Sequence, residues 1–305
     1  MSDADVRWTL ARRYEFIEWR VYWTGRVNRK DLETRFQIST PQASIDLREY
    51  QEAAQGNIEY NASEKAYLPT SNFRPVFLQL SPERYLLQLQ AIKSGAVRKH
   101  DTWFDQLPSV DTVPVISRDP HAYVLRAILQ AIETRSAIDI FYRSFTGTSR
   151  RSICPHALVS DGNRWHCRAY SVDHGDFRDY VLGRILSFWP LQPCDIDPSD
   201  DLEWTTEIEL VLRAHPGLND QQREAIERDF GMDDGQLRRR MRLAVAFYFV
   251  KRHNLDLQDE GLEPSRLQLW LDNLRELNDC LQSAKEKSKV LVAKRAAGEV
   301  KPSPP

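Results

Sequence analysis

A chain of 305 residues with 41% hydrophobic and 28% charged side chains has an ordinary soluble composition and the length of two or three domains. Its formal net charge of −2 excludes a protein that holds nucleic acid through overall positive charge, so any DNA contact must rest on local charge. No window approaches the roughly 18 apolar residues of a membrane span, and Met1-Ser2-Asp3-Ala4-Asp5 has no signal-peptide character, so a cytoplasmic location without membrane contact is expected.

Leu10, Tyr14, Ile17 and Val21 recur at helical spacing and predict a helix from about Val6 to Trp23, ended by Gly25. A second helix, from about Asn28 to Phe36, presents Leu32 and Phe36 to the same core. Ser39 and Gln42 have the spacing of a capping box, and Pro41 is tolerated in a first helical turn because amide donors there lack helical partners. In the third helix Ala43, Leu47, Tyr50 and Ala54 face inward, while Thr40, Gln42, Ser44, Arg48 and Glu49 face outward. Asn57–Tyr60 and Lys65–Leu68 then read as a hairpin.

Three helices with a short connection before the last, followed by a hairpin, are the layout of a winged helix-turn-helix; the alternative is a generic three-helix bundle. Residues 1–70 hold ten Lys/Arg against eleven acids, so the charges must be segregated. Arg26, Arg29, Lys30 and Arg35 cluster around the second helix, where such motifs meet phosphates. The candidate DNA contacts are Arg26, Arg29, Lys30, Ser39, Thr40, Gln42, Ser44, Arg48 and Lys65. Short polar side chains at the start of a third helix suit base edges in the major groove.

A loop at Phe73-Arg74-Pro75 leads to a helix predicted from Pro82 to Gly95, and the proline-bearing stretch from Asp101 to Pro120 reads as a linker. An amphipathic helix from His121 to Thr134 precedes a strand that places Ile138, Ile140, Tyr142 and Ser144 on one face. Further strands are predicted near Ser152–Ala157, Arg164–Tyr170 and Phe177–Ile185, which suggests a small, strongly curved sheet. Alternation in the Arg164–Tyr170 strand sets Trp165, Cys167 and Ala169 against Arg164, His166, Arg168 and Tyr170. The Phe177–Ile185 strand adds Arg178 and Arg184 on a common face. From Tyr142 to Arg184 seven arginines face four aspartates. Buried guanidinium needs a carboxylate or phosphate partner, so these arginines either hold an anionic ligand or pair with Asp161, Asp173, Asp176 and Asp179 on a solvated sheet.

After Pro198 a strand over Glu207–Leu212, a helix from Asp220 to Phe230 and an apolar run, Leu243–Val250, are expected, the last wholly buried or an interface helix. One long helix is predicted from Pro264 to about Arg295, on Leu267, Trp270, Leu274, Leu277 and Leu281; the tail 301–305 should be disordered. Cys154, Cys167, Cys194 and Cys280 are too scattered for a metal knuckle and read as small buried residues. Ser144 with His156 or His166 lacks the oriented acid and nucleophile turn of a hydrolase, and His215 and His253 lack ligand-spaced partners. No catalytic role, metal or cofactor is expected.

The run Arg164-Trp165-His166-Cys167-Arg168-Ala169, followed by Phe177-Arg178-Asp179-Tyr180-Val181-Leu182-Gly183-Arg184-Ile185, resembles the signature of WYL domains. There a Trp-Tyr-Leu tripeptide precedes an Arg-x-aromatic-x-Leu-x-Arg-Ile strand. His166 and Cys167 replace the name-giving Tyr and Leu, and this form is similar to the WYL regulators encoded beside phage-defence systems such as BREX and CBASS. The resemblance extends over most of the chain and implies an α+β multidomain protein. Its expected parts are a winged helix-turn-helix (1–72), a helical linker (73–118), a WYL domain built as an Sm-like small β-barrel (119–198), an α/β dimerisation extension (199–262) and a final helix with tail (263–305). It implies a homodimeric repressor that binds an inverted repeat in double-stranded operator DNA and senses a nucleotide, cyclic oligonucleotide or single-stranded nucleic acid. The ligand candidates are Tyr142, Ser144, His156, Arg164, Trp165, His166, Arg168, Arg178 and Arg184. The alternative is an accessory factor without promoter specificity, gripping single strands with Trp165, Tyr142 and Tyr180 as stacking platforms.

Overall fold

The computed structural model describes residues 3–114, 116, 120–258 and 260–300, with side chains from Trp8 onward; the tail expected to be disordered lies outside them. The chain divides into two compact units, 1–115 and 116–305. Among the described residues no helix is long and apolar enough to cross a membrane.

In the first unit α1 (Asp3–Thr24), α2 (Arg29–Phe36) and α3 (Thr40–Ala53) pack around Ile17, Val21, Leu32, Ala43, Leu47 and Tyr50. Asn28 and Asp31 cap α2 reciprocally, each side chain accepting the other's backbone N–H. Ser39 caps α3 by accepting the Gln42 N–H at 3.3 Å. The expected return half of that box is not made, because the Gln42 carboxamide donates instead to Asp46, 2.9 Å away. Strands β1 (Ile58–Asn61) and β2 (Ala66–Pro69) form the hairpin. Val27 joins it by exchanging two hydrogen bonds with Tyr67, which fixes the α1–α2 connection against the wing.

Residues 73–107 belong to the same unit. The buried Glu18 carboxylate accepts the N–H groups of Val76, Phe77 and Leu78 and the Tyr50 hydroxyl, so it anchors this segment on α1. Helix α4 (Pro82–Lys93) packs through Leu89 on a cluster that includes Trp19 and Phe104.

The second unit opens with α5 (Ala122–Glu133), whose Val124, Ala127, Ile128 and Ala131 cover a sheet. Its strands are β3 (Ser136–Arg143), β4 (Thr148–Ser160), β5 (Trp165–Ser171), β6 (Asp176–Val181) and β7 (Ile185–Phe188), hydrogen-bonded in the order β6-β5-β4-β3-β7, with β8 (Gln192–Pro193) also on β3. This path is open, so hydrogen bonds among the described residues do not close the barrel that the resemblance implies. The strand expected from Phe177 to Ile185 is broken at Leu182–Arg184 by a 3₁₀ turn. The chain must leave β5 there and reach β3 on the far side of the sheet, and Arg178 and Arg184 therefore share no strand face. Ser144 lies beyond the end of β3, in the turn to β4, and not on the face of Ile138, Ile140 and Tyr142.

Short α6 (Leu202–Thr205) leads into β9 (Glu207–Ala214), α7 (Asp220–Phe230), β10 (Leu237–Arg242), α8 (Leu243–Arg252), β11 (Leu269–Leu271) and α9 (Leu274–Ala296). The sheet order is β10-β9-β11, and its core joins Leu210, Leu212, Leu243, Ala246, Leu271 and Leu277. The helix expected from Pro264 begins only at Leu274, as α9. Leu269–Leu271 pairs with β9, and Asn273 closes that edge by accepting the Val211 N–H and donating to the Glu209 carbonyl.

Candidate functional site

Two sets of basic side chains in the first unit differ in what they meet. Arg13 reaches the buried Asp46 (Nε–Oδ2 2.8 Å), and Arg20, nearly buried, joins Asp31 and Asp105. These hold helices together. Arg26, Arg29, Lys30, Arg48 and Lys65 are exposed, and their side chains meet no ion-pair or hydrogen-bond partner among the described residues. The fold sets them on neighbouring pieces: Arg26 beside the Val27–Tyr67 bridge, Arg29 and Lys30 in the first turn of α2, Arg48 on the exposed side of α3. Lys65, at φ 50°, closes the wing turn, where the Asn61 side chain accepts the Ser63 and Glu64 N–H groups.

The polar side chains of α3 are less free. Ser39 is spent on the cap, the Ser44 hydroxyl donates to the Thr40 carbonyl at 3.0 Å, and Gln42 is held by Asp46. Thr40 and Arg48 remain exposed at this face. Exposed Tyr60, packed on Tyr67 at 5.2 Å on the wing, was not among the expected contacts; a lone tyrosine in a polar hairpin gives no sequence signal.

In the second unit Arg168 is the centre of a buried network. Its guanidinium forks onto Asp201 (Nε–Oδ2 2.7 Å, Nη2–Oδ1 2.9 Å), meets Glu203 at 2.6 Å and lies 3.5 Å from Asp179. His156, at the β4 bulge, bonds the same Asp201 at 2.9 Å, and the Tyr248 hydroxyl of α8 donates to Asp179 at 2.8 Å. The His166 ring stacks on Tyr248, 4.8 Å between centroids, with its Nδ1 buried and unbonded. Thus the strand face expected to offer donors is covered by the segment that enters the C-terminal sheet and by α8.

The charges are mutually dependent. Burial opposes the Arg168 charge, but the hydrogen bonds to Asp201 and the charges of Asp179 and Glu203 outweigh it and raise its pKa. Burial would lift Asp201 as well, yet Arg168 and His156 hold it below the usual carboxylate range. Glu203 goes the other way, because burial exceeds what Arg168 returns. Three carboxylates around one guanidinium leave the site with no surplus of positive charge for an anion.

The other expected ligand groups do not converge on this centre. Arg164 bonds Asp161 at 3.0 Å, and Arg178 is forked onto Asp176. Arg184 lies over exposed Phe145, 4.2 Å from its centroid. The Tyr142 hydroxyl accepts the Val181 N–H at 3.2 Å within the core, Ser144 caps its own turn, and Trp165 is half exposed at the start of β5. Asp201, Glu203 and Tyr248 were missed. Their only sequence trace is an acidic pair after Pro198 and one tyrosine in an apolar run.

Residues 9–91 match the family described as "BrxR transcriptional regulator winged helix-turn-helix domain". Residues 123–188 match "WYL domain", and residues 207–277 match "BrxR transcriptional regulator, C-terminal dimerization domain". Among curated relatives, the DNA-binding transcriptional repressor CapW of Escherichia coli (strain KTE188) is 38% identical over 274 residues, 89% of this chain and 92% of its own. CapW of Pseudomonas aeruginosa is 37% identical over 91% of this chain and 93% of its own. That of Stenotrophomonas maltophilia is 34% identical over 93% and 96%.

Proposed function

The chain belongs to the family of the DNA-binding transcriptional repressor CapW, and from that premise we propose that it represses transcription by seating α3 in the major groove of operator DNA. The observation that carries this reading is the set of exposed cations around α2, α3 and the wing that are unpaired among the described residues, in a unit whose other arginines include the internally paired Arg13 and Arg20. Arg26, Arg29, Lys30 and Lys65 serve phosphates, whereas Thr40 and Arg48, exposed on α3, serve base edges. The region matched as a dimerization domain supports a homodimer, with half-sites about 34–36 Å apart or a multiple of that on an inverted repeat. The regulated genes are those of a phage-defence locus of the BREX or CBASS kind.

The WYL domain, residues 119–198, is the sensor of a nucleotide, cyclic oligonucleotide or single-stranded nucleic acid. An anion that reaches Arg168 must compete with Asp201, Glu203 and Asp179, and so weakens the hold of the WYL sheet on the C-terminal region. That difference between ligand-free and ligand-bound states is what a coupling of about 1–3 kcal/mol requires. Footprinting of the chain's own upstream DNA tests the core of the proposal. Protection of a discrete inverted repeat is expected; uniform protection of all fragments overturns it.

A further inference from the structure

Two of the four cysteines are brought together by the second unit. Cys154 follows Ile153, which pairs with Ile138 on β3, and Cys194 follows Pro193, which pairs with Ser136 at the start of the same strand. Both thiols line one cavity of about 200 Å³, with Ser136, His156, Phe177 and Pro198 among its walls. Cys154 is buried and Cys194 half buried, so one sulfur is sheltered and the other can be reached through the cavity. Cys167, by contrast, is fully enclosed in the sheet core, and Cys280 packs against the separate C-terminal core.

We propose that Cys194 and Cys154 form an oxidisable dithiol that takes a small hydroperoxide as oxidant and closes to an intramolecular disulfide. Interaction with the Cys154 thiol lowers the Cys194 pKa and favours its thiolate, while the same contact and burial push Cys154 up. The Cys194 thiolate attacks one peroxide oxygen, the O–O bond breaks, and the departing alkoxide or hydroxide takes up a proton; Cys194 is left as a sulfenic acid. With that negative charge gone, the Cys154 proton is held less tightly. Its thiolate attacks the sulfenic sulfur, the S–O bond breaks, and water leaves. The two thiols have lost two electrons, and the peroxide has gained them. The new bond ties β4, two residues before His156, to the segment that leads into Asp201, so it flanks the Arg168 network.

The test uses the full chain with hydrogen peroxide, followed by thiol titration and non-reducing peptide mapping. Wild type and Cys280→Ser are expected to lose two titratable thiols each and to yield a peptide cross-linked between 154 and 194. Cys194→Ser should lose none at the same dose, and Cys154→Ser should stop at a sulfenic acid that a dione probe captures on Cys194. Retention of all four thiols by folded wild type, a cross-link to Cys280 or between chains, or an unchanged loss of two thiols in Cys194→Ser would each overturn the proposal.

Discussion

The arginines of α2 and α3 and the arginines of the WYL sheet answer the same electrostatic problem in opposite ways. Arg29 and Arg48 are exposed and meet no anion among the described residues, so their charge is available to a phosphate or a base edge. Arg168 has lost its water and is held by three carboxylates, two of them 33 and 35 residues later in the chain. An arginine-rich stretch is thus not by itself an anion site. What matters is whether the fold has already supplied the anion.

The sharpest way to break this contrast is Arg168→Ala. If the network is internal, the change leaves Asp201, Glu203 and Asp179 without a counter-charge and should cost about 3–5 kcal/mol of stability, read as a lower denaturant midpoint. Stability near wild type would mean that Arg168 is as free as Arg48. Because of this cost, loss of effector response by Arg168→Ala would not identify the ligand's contacts. Next in size, Arg48→Ala should lower operator affinity by about 1–3 kcal/mol while leaving random DNA nearly untouched. Arg29→Ala should instead weaken operator and random DNA alike and reduce the salt slope by about one. Equal effects of Arg48→Ala and Arg29→Ala on both DNAs would remove α3 as the reader of sequence.

The smallest effect is on pH dependence. Burial lowers the His166 pKa below its usual value of about 6.5, so folding favours the neutral ring. Its contribution is therefore full above about pH 6.5 and is lost as pH falls through the depressed folded value, by less than about 1.4 kcal/mol per unit. His166→Phe keeps an aromatic ring against Tyr248 but removes the titration, and its stability should fall less steeply below pH 6.5. His215 and His253, also lowered by burial, contribute to the slope that remains. A variant profile parallel to wild type would show that His166 does not titrate on unfolding.

Local patterns determined much of the first unit, because its helices and wing are specified by neighbours in sequence. Spacings of three and four residues mark the inner faces of α1 and α3, and Asn28, Ser39 and Pro41 mark where α2 and α3 begin. The same logic failed where a local pattern had two solutions. Leu267, Trp270 and Leu274 fit a helix, yet Leu269–Leu271 pairs with β9, because that edge offered unpaired backbone groups. Leu237–Arg242 carries four arginines and no apolar alternation, and it became a strand by pairing with β9, where Arg238 and Arg240 meet Glu209 and Glu207. The sequence by itself required that a buried Arg168 find an anion, since desolvated guanidinium cannot stay unpaired. Which anion was left to the tertiary structure. Only the chain's path from β8 into α6 and the packing of α8 bring Asp201, Glu203 and Tyr248 to that strand face, and no spacing rule encodes a contact made across more than thirty residues.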